Sequence, residues 1–250
     1  MFNQIHKQPR TLCIGIPCHD NRWHVNFAMS MIKLANSGLF NLAILKMSGG
    51  GVAKARNSLA SMFLNHPKKP DRMMWIDSDI EFEAGMVDHL YKRDLDIVGG
   101  LYCHKKPGPP VWSANALRGD LSVPDDKTGL QKVAAIGTGF MMVKRGVYEK
   151  MIDSGLAKSY VEDFEDGRGQ KRYELFPMGV VTDSEAHDDP TYLTEDWYFF
   201  HNARKLGFSV YADNCFHVKH WDGATCYPTE MPQPASAPVK NLDSNALMKS

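Results

Sequence analysis

The feature that most constrains this chain is the alternation in its first hundred residues. TLCIGIP (11–17), LAILKM (42–47), RMMWID (72–77) and DIVGGLY (96–102) are nearly continuous apolar runs. Between them, apolar residues recur at helical spacing: Trp23, Phe27, Met31 and Leu34; then Val52, Ala55, Leu59 and Met62; then the stretch EAGMVDHLYKR (83–93). Asp20 or Asn21 is placed to cap the first helix, Gly38 to stop it, and SGGG (48–51) to turn the chain into the second. Strands without polar alternation are buried on both faces, and helices between them supply the cover. The pattern predicts an α/β fold with a mostly parallel, Rossmann-like sheet flanked by helices.

The second half reads differently. Residues 103–130 are rich in Gly, Pro and charge, an excursion over the surface. KVAAIGTGFMMVKR (132–145) is a strand broken by Gly137 and Gly139, with a short helix after it. Residues 158–192 are acidic and glycine-containing, with one strand expected at YELFPMGVV. EDWYFFHNARKLG (195–207) is a helix opened by two acids and closed by glycine, and FSVYADNCFHVKHW (208–221) supplies one or two strands. The expected organisation is one domain over 1–226, with a smaller, mixed half from 103, and a Pro-containing tail over 227–250.

Composition removes several classes of function. Of 250 residues 43% are apolar, enough for a sizeable core, and 29 basic residues balance 29 acidic ones. That balance provides no general field for nucleic acid or an anionic membrane. The opening MFNQIHKQPR lacks the apolar core of a signal peptide, and no apolar run is long enough to span a bilayer. Five cysteines without a CxxC pair read as reduced thiols, and the expected location is the cytoplasm.

The chemistry centres on WIDSD. Asp77 and Asp79 follow the third apolar run, at the carboxyl end of a strand, where open parallel sheets bind ligands. A second D-x-D, Asp94-Leu95-Asp96, precedes its strand and lies at the opposite edge. If the chain stays extended through Asp79, both carboxylates of the first pair point to one side. With no basic residue near them in sequence they attract a cation, and oxygen ligands suit Mg²⁺ or Mn²⁺. SGGGVAKARNS is neither a P-loop nor GxGxxG, and DSDIEFEAG is not a calcium-binding EF-hand loop. Cys215, His217, His220 and Cys226 match no common zinc spacing.

WIDSDIEF, DIVGGLY, IGTGFMMVKRGVYEKM, LTEDWYFFHNARKLGFSVYADN and VKHW, in this order, resemble the GT-A fold glycosyltransferases that use nucleotide-sugar donors. The nearest likeness is to family-2-like enzymes of bacteria and phages, and GFSVYADNCFHVKHW also resembles Anp1-type fungal mannosyltransferases. The resemblance spans roughly residues 11–222. It implies a nucleotide-binding half (1–102) and an acceptor-binding half (103–226). It also implies a metal held by Asp79, with Asp77 sharing it or facing the ribose, and His220 as a later ligand in preference to His217. Pro17 and His19 then border the nucleobase and ribose, with Ser78 beside the donor. Arg56 and Asn57 belong to a comparable Arg-Asn stretch, and a guanidinium fork suits phosphate. Gly137, Thr138 and Gly139 let backbone approach the donor sugar. In inverting members the Asp of an E-D pair takes the acceptor's proton, which makes Asp196 the base and Glu195 a positioning group. The Anp1-type enzymes retain stereochemistry and need no such base.

The reading is thus a Mn²⁺- or Mg²⁺-dependent transfer from a nucleoside-diphosphate sugar to a hydroxyl on a glycan, a lipid-linked sugar or a protein. One alternative acceptor is a modified base of phage DNA, in which case the location is the host cytoplasm; HKK (104–106) and RGQKR (168–172) supply local positive charge for it. The other alternative is a non-catalytic nucleotide- or sugar-binding module.

Overall fold

The computed structural model describes residues 10–116, 123–163, 167–183 and 189–227. Of the predicted tail only Tyr227 falls within these bounds. Strand β1 (Arg10–Cys18) leads to α1 (Val25–Asn36), followed by β2 (Phe40–Ser48), α2 (Val52–Leu64), β3 (Arg72–Ile76), β4 (Ile80–Glu81), α3 (Ala84–Arg93) and β5 (Ile97–Leu101). The second half adds β6 (Ala114–Asn115), β7 (Leu130–Val133), β8 (Ala135–Ile136), β9 (Phe140–Lys144) and α4 (Arg145–Asp153). Two short antiparallel pairs come next, β10 (Ser159–Val161) with β11 (Lys171–Tyr173) and β12 (Gly179–Val181) with β13 (Thr191–Leu193). Helix α5 (Glu195–Lys205), β14 (Val210–His217), β15 (Lys219–Asp222) and β16 (Thr225–Tyr227) complete the described chain.

Seven strands form one mixed sheet in the order β2-β1-β3-β9-β5-β14-β7. β2, β1, β3, β5 and β14 share one direction, while β9 and β7 oppose their neighbours. The fold is therefore α/β, as the alternation requires. The broken run 132–145 resolves into β7, β8 and β9, and β9 inserts antiparallel between β3 and β5. Because β9 runs backwards, its first residues lie at the carboxyl edge of β3, which brings Gly137–Gly139 to the site.

Side chains alternate between two cores, as a doubly covered sheet demands. Met73 and Trp75 of β3 pack with α2, α4 and α5 through Leu59, Phe63, Val147, Met151, Phe199 and Ala203. Met74 and Ile76 pack on the other face with Phe27, Met31 and Leu34 of α1 and Val87 and Leu90 of α3. Buried Trp75 still satisfies its indole, donating to the Tyr148 hydroxyl at 2.8 Å. The cap of α1 is His24, not Asp20 or Asn21: its Nδ1 accepts from the Asn26 amide, while Asn21 adopts a left-handed φ of 61° one turn earlier. Where one strand was expected over 158–192, the chain forms the two antiparallel pairs. No described helix is long and apolar enough to cross a membrane. The five cysteines are unpaired among the described residues.

Candidate functional site

A cavity of about 260 Å³ opens beyond the carboxyl ends of β1 and β3, lined by Pro17, Cys18, His19, Gly49, Gly50, Gly51, Val52, Ala55, Asp77, Ser78 and Asp79. Pro17, His19, Asp77, Ser78 and Asp79 were expected there. The glycines were missed. Gly49, Gly50 and Gly51 have φ of 81°, 71° and 84°, a left-handed run that side chains disfavour. This turn presents the amino end of α2 to the cavity, with no acid in the helix's first turn and no side-chain cap on Gly51. The unpaired N–H groups and dipole of such an end favour anions. The available signal was the glycine run immediately before a helical stripe.

The DSD segment departs from the extended geometry that would aim its carboxylates together. The Ile80 amide donates to the Asp77 carbonyl at 3.1 Å, so the chain turns at once. Asp77 Oδ1 accepts from Arg56 Nη2 at 3.1 Å, whereas Asp79 Oδ2 accepts from Lys105 Nζ at 2.5 Å. The expectation of two uncompensated acids is corrected: each carboxylate has its own basic partner, delivered by a different element. The 94–96 pair differs again, with Asp94 bound to Arg72 at 2.6 Å and both acids near Lys144, a salt-bridge cluster at the amino edge.

His220 reaches Asp79 through backbone pairing. β15 lies antiparallel to β4 with His220 opposite Ile80, and the Trp221 amide donates to the Asp79 carbonyl at 3.0 Å. His220 Nδ1 is 2.9 Å from the Cys103 carbonyl, which only accepts, so Nδ1 carries the proton. In the neutral ring Nε2 then presents a lone pair, 3.4 Å from Asp79 Oδ1. That oxygen is buried and has no hydrogen-bond partner among the described residues. Two lone pairs facing each other are stable only with a cation between them, a proton or a metal ion. Neighbouring ligands of an octahedral ion, each about 2.1 Å from it, are about 3.0 Å apart, so a movement of about 0.4 Å would let the pair share a divalent cation. Burial alone would raise the Asp79 carboxyl; Lys105 and, with a proton on Nε2, His220 outweigh it and hold it below the usual carboxylate value. Asp77 is turned towards Arg56. Asp77, Asp79 and His220 therefore do not form the expected three-ligand cluster: among the described residues, the group with donor atoms within 4.8 Å of one another is His89, Asp213 and Cys215.

Arg56 joins the two halves of the site. Its side chain is 3% exposed, sits over Trp75, and places Nε 3.7 Å from Glu195 Oε1 while Nη2 holds Asp77. Nε and Nη1 have no hydrogen-bond partner among the described residues. Asn57 is not aimed at a ligand: its amide spans the Phe176 backbone, donating to the carbonyl at 3.2 Å and accepting from the amide at 2.7 Å. Glu195 is buried, and its carboxyl is raised by desolvation and by Asp196, with Arg56 opposing. Asp196 is more open and accepts through Oδ1 from Thr194 Oγ1 at 2.7 Å and the Trp197 amide at 2.8 Å.

Gly137 and Gly139 make room for protein. A Cβ on Gly137 would lie 2.2 Å from the Tyr102 hydroxyl oxygen, and one on Gly139 2.8 Å from Asp77 Oδ2 and 2.9 Å from the Tyr102 oxygen. That hydroxyl accepts from the Gly139 amide at 3.1 Å. Thr138, between them, is buried. Gly139→Ala is therefore expected to lower stability by about 1 to 3 kcal/mol through overpacking, read as a reduced urea midpoint.

The His89, Asp213 and Cys215 group is an ion-pair network. Arg93 Nε is 2.6 Å from Asp213 Oδ2 and its Nη2 is 3.2 Å from Cys215 Sγ, so a guanidinium fills the space a metal would need. His217 instead stacks on Trp112 at 4.4 Å, apart from His220. Burial would raise the wholly buried Asp213 carboxyl, but His89, Arg93 and the Cys215 amide outweigh it and lower it from the ordinary 3.8. A lowered folded value stabilises fully above the unfolded value and is lost as pH falls through the folded one. Asp213→Asn is expected to cost about 2 kcal/mol at pH 7. The gap from the parent should close as pH falls below about 4, measured by urea unfolding across pH.

No family model and no curated protein matches the chain. Among solved structures it is similar to A197 from STIV, at 20% identity over 85% of this chain and 86% of that one, with a TM-score of 0.48. It is also similar to a glycosyltransferase involved in the glycosylation of the major capsid of PBCV-1, at 12% identity over 55% of this chain and 62% of that one, with a TM-score of 0.31. At these values neither likeness carries an argument about what this chain does.

Proposed function

We propose that the chain is a divalent-cation-dependent glycosyltransferase that takes a nucleoside-diphosphate sugar and transfers the sugar to a hydroxyl acceptor. One observation carries the reading: buried Asp79 Oδ1, with no hydrogen-bond partner among the described residues, faces His220 Nε2 at 3.4 Å beside a cavity bordered by the amino end of α2. Asp79 and His220 would hold Mn²⁺ or Mg²⁺, an ion commonly bound by few protein groups with phosphate oxygens and water completing its shell. When bound, it supplies Lewis-acid stabilisation of the charge on the departing diphosphate. Pro17 and His19 border the space for the nucleobase and ribose, and the α2 end favours the phosphates. Asp77 and buried Glu195 hold Arg56 between them, and the guanidinium in turn fixes the Asp77 carboxylate at the cavity wall. Asp196, the more open of the acid pair, would take the acceptor's proton.

The ordered motifs that resemble the GT-A enzymes support the same reaction. Acceptors of the class are glycans, lipid-linked sugars and proteins. Calorimetry with UDP and GDP, with and without Mn²⁺, tests the reading. Nucleotide should bind in the cleft only when the ion is supplied. Equal binding in its absence would overturn the cation's part.

A further inference from the structure

We propose that Lys105 is an exchangeable counter-ion, which neutralises Asp79 in the free protein and pairs with the nucleotide's diphosphate once Asp79 is given over to a divalent cation. This rests on the cation reading of Asp79 and His220. Lys105 Nζ lies 2.5 Å from Asp79 Oδ2, with the two side chains 27% and 31% exposed, so the contact is accessible to solvent and able to exchange.

The backbone that carries Lys105 is held firmly. Residues 102–113 double back on themselves: the Ser113 amide donates to the Tyr102 carbonyl at 2.9 Å and the His104 amide to the Val111 carbonyl at 2.8 Å. Cys103 bridges Trp112, whose ring is stacked on His217. The same hairpin orients His220, because the Cys103 carbonyl takes the Nδ1 proton. Exchange therefore needs only the flexible four-carbon stem of the lysine to move, with no rearrangement of the hairpin.

Charge decides where the ammonium goes. A divalent ion and an ammonium on one carboxylate leave two positive charges in excess. The other carboxylate of the turn, Asp77, is engaged by Arg56 at 3.1 Å. The diphosphate bound at the ion brings the new negative charge, and an ammonium is a good point-charge partner for it.

The test separates exchange from an ordinary structural ion pair by its opposite signs. Mn²⁺ alone, and UDP or GDP at saturating Mn²⁺, are titrated calorimetrically into the parent chain, Lys105→Gln and Lys106→Gln. Lys106 is an exposed neighbour on the same hairpin and controls for general loss of positive charge. Lys105→Gln should bind Mn²⁺ roughly five- to tenfold more tightly, since its competitor is gone, and the nucleotide roughly tenfold more weakly. Lys106→Gln should match the parent in both. Unchanged Mn²⁺ affinity in Lys105→Gln overturns the exchange and leaves the cation reading standing. Tighter binding of both, or an equal response from Lys106→Gln, overturns it too. If none of the three proteins binds Mn²⁺, the cation reading falls and the exchange falls with it.

Discussion

Asp79→Ala is expected to weaken cation-assisted binding of a nucleoside diphosphate by at least about 100-fold, because loss of groups that merely orient a ligand already costs 10- to 100-fold. The variant removes the oxygen opposite His220 and also releases Lys105. Folding should change little, since the side chain is partly exposed and its backbone contacts to β15 do not depend on it. Asp77→Ala should behave in the opposite way. It leaves the buried Arg56 without its hydrogen-bonded carboxylate, a loss of about 3 kcal/mol or more, and should show mainly as a lower urea midpoint. Calorimetry and urea unfolding on both variants check the pair. Equal loss of nucleotide affinity with unchanged stability in both would mean that the two aspartates share the ion after all.

Asp196→Asn is expected to lower transfer to a hydroxyl acceptor by about 10²- to 10⁴-fold, the usual worth of a general base. An asparagine oxygen can still accept from the Thr194 hydroxyl and the Trp197 amide, so α5 keeps its start and stability should hold. Donor and Mn²⁺ binding should hold as well, because Asp196 does not line the cavity. Single-turnover transfer from a nucleotide-sugar, with calorimetry as the control, reads the effect. Undiminished transfer removes Asp196 from the mechanism. Glu195→Gln is a different perturbation, since it discharges a buried group beside Arg56, and should act through the position of that guanidinium.

Most of the architecture was legible because burial on both faces leaves a plain signature. The runs at 11–17, 42–47, 72–77 and 96–102 are strands within one or two residues, and the stripes between them are helices. Local chemistry was harder to read. His24 caps α1 with its ring, a use of histidine that propensity does not anticipate. Asn57 and the glycines at 137 and 139 look like ligand contacts, yet they serve the Phe176 backbone, the Tyr102 hydroxyl and Asp77. Each of these partners is remote in sequence, and side-chain polarity alone does not say whether a partner is protein or ligand.

By itself the sequence determined the alternating α/β frame and the edge of the sheet at which chemistry would gather. It did so because hydrophobic period and strand direction are local properties. Only the tertiary structure decided how the charges there are shared. A turn at Ser78 and Asp79 parts Asp77 from Asp79, and β15 pairing with β4 carries His220 across 141 positions to the Asp79 carboxylate. A hairpin and a helix bring Lys105 and Arg56 to the two acids. Electrostatic compensation acts over a few ångströms of space, and distance along the chain does not report it.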